Sequence, residues 1–213
     1  MFKKYKKQLI FSSIVILLPI VCGLLMWDRL PELLPTHWNT TGEVDQYSPR
    51  WLAVFGLPLF LVAIQWLCLL VTESDKHNEG QTKKVMSLTF WICPVISIFG
   101  SAAIYATALG HPMNMSQAPC ILVGIIFIII GNYLPKCKHN YTIGIKLPWT
   151  LASEENWNAT HRFGGKVWVF GGFMFLLLTF LPSDIMFIGL IVAMVFLVAL
   201  PTIYSYRYQK RHG

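Results

Sequence analysis

The stretch PCILVGIIFIIIGNYLP, residues 119–135, contains no charged side chain and is dominated by isoleucine, leucine and valine. An α-helix rises about 1.5 Å per residue, so a run of this length nearly crosses the hydrocarbon core of a bilayer. It is also longer than the strands of ordinary sheets, which favours a helix. The stretch therefore predicts a membrane-spanning helix that crosses with little tilt.

Five further runs of the chain are similarly free of charge. The predicted spans are residues 8–27, 51–72, 85–109, 119–135, 167–182 and 185–206. The whole chain of 213 residues is 55% hydrophobic and only 13% charged, which is typical of a membrane protein and not of a soluble domain. We therefore predict an all-α, multi-pass integral protein of the cell membrane with six transmembrane helices.

The positive charges predict how the chain is oriented. Of the 17 Lys and Arg residues, only Arg29 and Arg50 fall on one side of the predicted spans. Because cytoplasmic loops are enriched in Lys and Arg, we predict that both termini and the loop 136–166 are cytoplasmic and that the loop 28–50 lies outside. The basic residues would contact anionic lipid headgroups. They do not form a patch on one folded face, so no direct nucleic-acid partner is expected.

The outer loop, residues 28–50, is polar and contains three prolines. Thr41-Gly42-Glu43 predicts a tight turn within it. Its mixture of acidic, aromatic and turn-forming residues favours a folded recognition surface, because loops held by a rigid scaffold often carry binding. The alternative is a cap that only packs on the helices.

The inner loop, residues 136–166, is predicted to contain a short helix. Ser153 can cap its N-terminus, and Glu154 and Glu155 in the first turn favour the positive end of the helix dipole. The helix is expected to end near Phe163, before Gly164-Gly165, and to lie along the membrane surface with Trp157 and His161 on one face.

The chain also divides into two similar halves, residues 1–110 and 111–213. Each half reads as a helix, a long polar loop and two further helices, and both loops contain Trp-Asn-x-Thr, at 38–41 and 157–160. With three spans each, the halves would be inverted in the membrane. An inverted three-helix repeat is therefore a further hypothesis.

Catalytic and metal-binding alternatives start from a few side chains. Membrane-embedded proteases related to prenyl-protein processing enzymes use paired glutamates with an Arg four residues after the second, but Ala159 stands at that distance from Glu155. His37 with Glu43 and Asp45 could ligate a metal, although a lone His is more often structural. The sequence thus favours a binding protein over an enzyme, with no cofactor and no metal. A small-solute or peptide transporter is less favoured, since no ionisable residue lies within a predicted span.

The two loops carry a family resemblance. The segments LPTHWNTTGEVDQYSPR, residues 34–50, and NYTIGIKLPWTLASEENWNATHRFGGK, residues 140–166, resemble the two loop motifs of the SdpI family of bacterial toxin-immunity membrane proteins. The resemblance implies a protein that protects the producing cell from a secreted antimicrobial peptide, by sequestering the peptide or by shielding its target. It also implies that a cytoplasmic transcriptional repressor is recruited to the membrane.

These partners suggest two groups of site residues. The toxin-binding residues of the outer loop are predicted to be His37, Trp38, Asn39, Gly42, Glu43, Asp45 and Tyr47. The partner-binding residues of the cytoplasmic loop are predicted to be Lys146, Trp149, Glu154, Glu155, Trp157, His161 and Arg162.

Overall fold

The structure, a computed structural model, describes residues 2–75 and 81–212, with the side chains of residues 2–4 left out. Two of the lysines that carry the orientation prediction, Lys3 and Lys4, are therefore without described side chains, and Lys76 lies outside the described residues. The elements are α1 (Phe2–Leu25), β1 (Leu33–Trp38), β2 (Val44–Pro49), α2 (Arg50–Ser74), α3 (Lys83–Ala108), α4 (Ala118–Tyr133), α5 (Pro148–Ala152), α6 (Glu154–Leu178) and α7 (Ser183–His212).

Long apolar helices dominate the chain, which makes it a multi-pass membrane protein. Five of the helices, α1, α2, α3, α4 and α7, are long and apolar enough to cross a membrane. The fifth predicted span, 167–182, is not confirmed. Its residues form the second part of α6, whose first part carries four charged side chains, and only residues 167–178 of the helix are apolar. The location of the termini stays a prediction.

Membrane orientation can be tested by labelling single cysteines in intact cells. In a variant whose five native cysteines are replaced, we expect cysteines at the exposed positions Thr40 and Met113 to react with an impermeant maleimide. Cysteines at the exposed positions Glu155 and Lys210 should react only after the cells are opened, because positively charged segments stay cytoplasmic. Labelling of Glu155→Cys in intact cells would reverse the predicted orientation of the inner loop.

The described residues form two compact units, Met1–Glu73 with Ser87–Ala118, and Ser74–Met86 with Pro119–Gly213. The first unit contains α1, α2 and α3, and hydrogen bonds from side chains to backbone carbonyls join its helices. Ser97 donates to the Ile16 carbonyl at 2.8 Å, and the Tyr105 hydroxyl donates to the Pro19 carbonyl at 3.0 Å. Gln65 donates to Ser12 at 2.9 Å. These hydrogen bonds give the Ser97 and Tyr105 hydroxyls and the Gln65 amide N–H a partner where no water is at hand.

In the second unit, α4 and α6 approach each other through facing glycines. A Cβ atom on Gly172 would lie 2.5 Å from the Gly124 carbonyl oxygen, and one on Gly165 would lie 2.6 Å from that of Gly131. Backbones can come this close only where side chains are absent. On its other side α6 contacts α7, where the Trp168 indole donates to the Leu197 carbonyl at 3.1 Å.

One element was not expected from the sequence: the outer loop contains a two-stranded antiparallel sheet, β1 with β2. In β1, Leu34 and Trp38 pack against the helices while His37 is exposed, and the register between the strands is irregular from Pro35 to Trp38. The two copies of the Trp-Asn-x-Thr motif differ in backbone conformation, because Trp38 lies on a strand and Trp157 on a helix. The inverted repeat stays a prediction, without the support of this motif.

Candidate functional site

The outer hairpin is anchored to the first unit by its inward-facing side. Leu34 is fully buried and belongs to a cluster of buried apolar side chains. Trp38, which is half-buried, packs against the same cluster, whose members are Leu30, Leu34, Ala53, Val54, Ile104 and Tyr105. Burial of this apolar surface fixes the hairpin on the N-terminal end of α2 and the C-terminal end of α3.

The turn of the hairpin is built around Asn39. Its Oδ1 atom accepts hydrogen bonds from the backbone N–H of Thr41 at 3.0 Å and of Glu43 at 2.9 Å. Gly42 follows with a φ of +88°, a conformation that residues other than glycine rarely adopt. A Cβ atom at this position would also lie 2.8 Å from the backbone nitrogen of Ser116. The predicted turn is present, and Asn39 and Gly42 serve to shape it.

The outward-facing side of the hairpin presents the other predicted residues. His37 donates from Nδ1 to Asp45 Oδ1 at 2.6 Å, and both side chains are exposed. Glu43 is exposed, and Tyr47 is 60% exposed. Of the seven predicted outer residues, His37, Glu43, Asp45 and Tyr47 are thus accessible to a partner, whereas Trp38, Asn39 and Gly42 build the hairpin.

The charges around the hairpin leave it acidic. Arg50 donates from Nη1 to the Trp27 carbonyl at 3.0 Å and from Nε to the Pro31 carbonyl at 2.9 Å. Its guanidinium also lies over the Trp27 ring, 5.1 Å from the centroid. Arg50 therefore holds the start of α2 to the chain before the hairpin. The exposed charged residues of the segment are Asp28, Arg29, Glu32, Glu43 and Asp45.

The inner loop, residues 136–166, folds around Trp157, which is fully buried. Its indole N–H donates to the Cys137 carbonyl at 2.9 Å. The ring stacks on that of His161, with centroids 4.0 Å apart and planes 23° apart. Trp157 and His161 do share one helix face, as predicted, but that face is turned into the protein. Neither side chain is offered to a soluble partner.

His161 makes hydrogen bonds through both ring nitrogens. Nδ1 donates to the Trp157 carbonyl at 2.8 Å, and Nε2 accepts from the backbone N–H of Ile145 at 3.0 Å. An imidazole that donates on one side and accepts on the other is neutral. Burial lowers the pKa of His161 from its usual value of 6.5 to about 4. His161 therefore acts as a neutral clamp between α6 and the preceding loop.

Acid should weaken this clamp. Between pH 6.5 and about 4 the unfolded chain binds a proton at His161 that the folded chain does not, so stability is present above pH 6.5 and is lost as the pH falls toward 4. The loss can reach about 3 kcal/mol. We expect thermal unfolding in detergent to show a smaller drop over this pH range in His161→Asn than in the unchanged protein. The exposed His37→Asn variant should retain the full drop, and an equal drop in both variants would contradict the clamp.

Two asparagines, missed in the sequence, organise the same loop. The Oδ1 atom of Asn140 accepts from the backbone N–H groups of Thr142 at 2.8 Å and Ile143 at 2.6 Å. Asn156 Oδ1 accepts from the hydroxyls of Ser205 at 2.8 Å and Thr160 at 2.9 Å, which ties α6 to α7. Both asparagines are fully buried. In the sequence, the i, i+4 spacing of Asn156 and Thr160 was the signal that could have indicated their hydrogen bond on one helix face.

The predicted helix of the inner loop begins as expected but does not end as expected. Ser153 Oγ accepts from the backbone N–H of Asn156 at 3.2 Å, so the predicted cap is present. The predicted end near Phe163 is wrong, because α6 continues to Leu178. Gly164 and Gly165 do not terminate it, since Gly165 is instead the point of close approach to Gly131 on α4. The predicted surface helix and the fifth predicted span are one continuous helix.

The remaining predicted residues of the inner loop are accessible or half-buried. Lys146, Glu154, Glu155 and Arg162 are exposed. Trp149 is half-buried and packs edge-on against Tyr206, with ring centroids 5.5 Å apart. The exposed part of this site is thus a charged surface. The rings of Trp157 and His161 are buried and stabilise the loop from inside.

Reactive groups in this loop are held in unreactive states. Burial raises the pKa of the Cys137 thiol to about 11, and the thiol donates to the Ile143 carbonyl at 3.2 Å. Within residues 2–75 and 81–212 no group of three or more His, Cys, Asp or Glu side chains is placed to hold a metal ion. On the hairpin, the three side chains considered as metal ligands are hydrogen-bonded: His37 donates to Asp45, and Glu43 accepts from the Asn39 side-chain amide at 3.4 Å.

Long apolar helices, with a hairpin and a packed polar loop between them, define a multi-pass membrane protein. Residues 136–205 match the SdpI/YfhL protein family, and residues 14–62 match a domain of unknown function, DUF1648. The chain is 26% identical over 209 residues to the immunity protein SdpI of Bacillus subtilis (strain 168), across 96% of this chain and 97% of that protein. No solved structure matches it. Residues 136–205 thus resemble the SdpI/YfhL family, and the similarity to the immunity protein extends over nearly the whole chain.

Proposed function

We propose that the chain is an immunity protein of the cell membrane that protects its host from a secreted antimicrobial peptide. The observation that carries this proposal is the similarity to an immunity protein along nearly the full length of both chains. Similarity of this extent includes the outer hairpin as well as the cytoplasmic loop. Protection is therefore proposed for the molecule as a whole and not for one segment.

The geometry of the hairpin supports binding as the means of protection. A peptide arriving from outside meets exposed carboxylates at Glu43 and Asp45 beside the exposed ring of Tyr47. Carboxylates speed the encounter with a cationic peptide, while an aromatic side chain contributes more of the binding energy. The hairpin is also rigid, because Trp38 and Arg50 hold it to the helices. A rigid surface loses little conformational entropy on binding.

The geometry of the cytoplasmic loop favours binding over catalysis. In the protease alternative, His161 would serve the same centre as Glu154 and Glu155. However, both nitrogens of His161 already hydrogen-bond within the fold, and the ring is buried while the two glutamates are exposed. A side chain in this state does not reach a substrate. We therefore propose that the protein is not an enzyme.

The role of the hairpin can be tested by substitutions on its exposed face. We expect Tyr47→Ala to lower the peptide concentration that cells survive by about tenfold, since loss of an aromatic anchor typically costs more than 1 kcal/mol. The double variant Glu43→Gln, Asp45→Asn should lower it a few-fold, and less so at high salt. Survival and membrane protein level would be measured on the same cells.

The half-buried Trp38 provides the contrasting variant. Trp38→Ala should lower the amount of folded protein as well as protection, because its ring packs on the core of the first unit. Protection would be divided by membrane protein level for each variant. If Tyr47→Ala and the double carboxylate variant then protect as strongly as the unchanged protein, the hairpin is a cap and not a recognition surface.

We further propose that the exposed charges of the cytoplasmic loop recruit a transcriptional repressor to the membrane. The family resemblance suggests the partner, and the fold supports the location. Glu154 and Glu155 lie in the first turn of α6, exposed, with Lys146 and Arg162 exposed in the same segment. A mixed charged surface of this kind suits a transient partner, since rim charges govern association rate and specificity.

A further inference from the structure

A groove lies beneath the hairpin in the first unit. It has a volume of about 350 Å³, and its walls come from the hairpin, from α2 and from α3. The residues that define it are Thr36, Ser48, Leu52, Gly56, Phe60 and Ile104. Since α2 begins at Arg50 and its first residues adjoin the outer hairpin, the groove runs from the hairpin along the first turns of this helix.

The end of the groove at the hairpin is polar. Thr36 and Ser48 face each other across the two strands, and their hydroxyl oxygens are 2.9 Å apart. One hydroxyl donates to the other, so the pair can still donate one hydrogen bond to an outside acceptor. A peptide carbonyl group is such an acceptor.

The other end of the groove is apolar and open. Leu52 is 43% exposed and Phe60 is 62% exposed. Gly56 gives the groove its depth, because a Cβ at this position would meet only the side chain of Leu52, at 3.2 Å. An apolar side chain entering here would be removed from water and would contact both Leu52 and Phe60.

The charges around the groove select among apolar ligands. The outer segment has four exposed carboxylates, Asp28, Glu32, Glu43 and Asp45, against the two cations Arg29 and Arg50, and Arg50 is directed to two backbone carbonyls. An acidic surrounding disfavours the phosphate of a lipid headgroup and favours a positively charged partner. The groove and its surroundings thus complement a molecule that is both cationic and apolar.

We infer that this groove binds the apolar side of a cationic, amphipathic peptide, while the acidic hairpin contacts its positive charges. The inference rests on the proposed immunity function and specifies where on the protein the secreted peptide is held. The peptide would lie at the boundary between water and the outer leaflet, with a backbone carbonyl at the Thr36–Ser48 pair. Gly56 is then the residue that admits its largest apolar side chain.

Filling the groove tests the inference. Gly56→Leu places a side chain in the groove while improving the helix propensity of α2. Ala63→Leu adds similar bulk to the same helix at an exposed position and is the matched control. A second variant, Thr36→Val with Ser48→Ala, removes the hydroxyls with little change in volume. The probe is the peptide against which the unchanged chain protects cells, fluorescently labelled and titrated onto each protein in phosphatidylcholine nanodiscs.

We expect Gly56→Leu to weaken peptide binding and protection at least tenfold, the hydroxyl variant to weaken both several-fold, and Ala63→Leu to change neither. If the unchanged chain protects and Gly56→Leu binds the peptide equally well, the groove is not the binding site and the immunity function stands. Altered lipid content in Gly56→Leu with unchanged peptide affinity would make the groove a lipid site and also overturns the inference. A chain that protects against no tested peptide contradicts the proposed function, and the inference with it.

Discussion

Replacing Gly172 with leucine is expected to remove nearly all folded protein from the membrane. A Cβ at this position would lie 2.5 Å from the Gly124 carbonyl oxygen and 2.9 Å from the backbone nitrogen of Ile128. These are main-chain atoms of α4, which cannot rotate aside as a side chain can. Overpacking typically costs about 1–3 kcal/mol where side chains can adjust, and more where they cannot. Since whole domains are stable by only about 5–15 kcal/mol, we expect membrane levels to fall about tenfold or more.

The neighbouring Phe173 supplies the control for this prediction. Its side chain is 52% exposed, so Phe173→Leu should leave the level of protein unchanged. Quantitative blotting of membranes, together with a thermal unfolding curve for the purified variant, measures both changes. If Gly172→Leu accumulates and unfolds like Phe173→Leu, then α4 and α6 do not pack through their glycines.

The second large effect is expected for Trp157→Ala. The substitution empties the centre of the cytoplasmic loop, leaves the Cys137 carbonyl without the indole N–H, and removes the ring that stacks on His161. Replacing a buried tryptophan by alanine costs about 3–5 kcal/mol. Protection and repressor recruitment should therefore be lost together, along with folded protein.

Exposed residues of the same segment should behave differently. Asn158→Ala, next in the chain and exposed, should change neither stability nor function. The double variant Glu154→Gln, Glu155→Gln should retain resistance while it weakens repressor recruitment, measured as reporter expression in cells challenged with the peptide. If recruitment survives this double variant, the acidic start of α6 is not the docking surface. If Trp157→Ala leaves folding intact, the loop is not built on this ring.

Much of the fold could be predicted because bilayers constrain sequence strongly. Uncharged runs identified five helices: α2, α3 and α4 agree within two residues at each end, while α1 begins six residues before its predicted span and α7 ends six residues after its own. The N-cap at Ser153 followed from local chemistry. The helix end near Phe163 was predicted wrongly because Gly164-Gly165 was interpreted as a terminator, while α6 continues to Leu178. Glycine has two uses, as a cap and as a point of close approach, and only the position of α4 distinguishes them.

The candidate sites were less predictable, since burial depends on contacts distant in sequence. Trp157 and His161 were assigned to a partner surface because aromatic and charged residues in a polar loop suggest binding. Their burial depends on the return of the 137–145 segment, which local sequence does not encode. The outer loop was predicted to be folded and to contain a tight turn, but its two strands were not predicted, because its prolines argue against strands. The groove combines strands and helices, so no single segment indicates it.

Protection from a secreted peptide is the central claim, and survival of a sensitive bacterium tests it most directly. Cells expressing the chain, cells with empty vector and cells expressing the misfolding variant Gly172→Leu would be challenged with a series of secreted antimicrobial peptides, with membrane levels measured in parallel. We predict that the unchanged chain raises the survivable concentration of at least one peptide tenfold or more, and that the other two cultures do not. Equal killing of all three cultures by every peptide, with the unchanged chain confirmed in the membrane, would contradict the account.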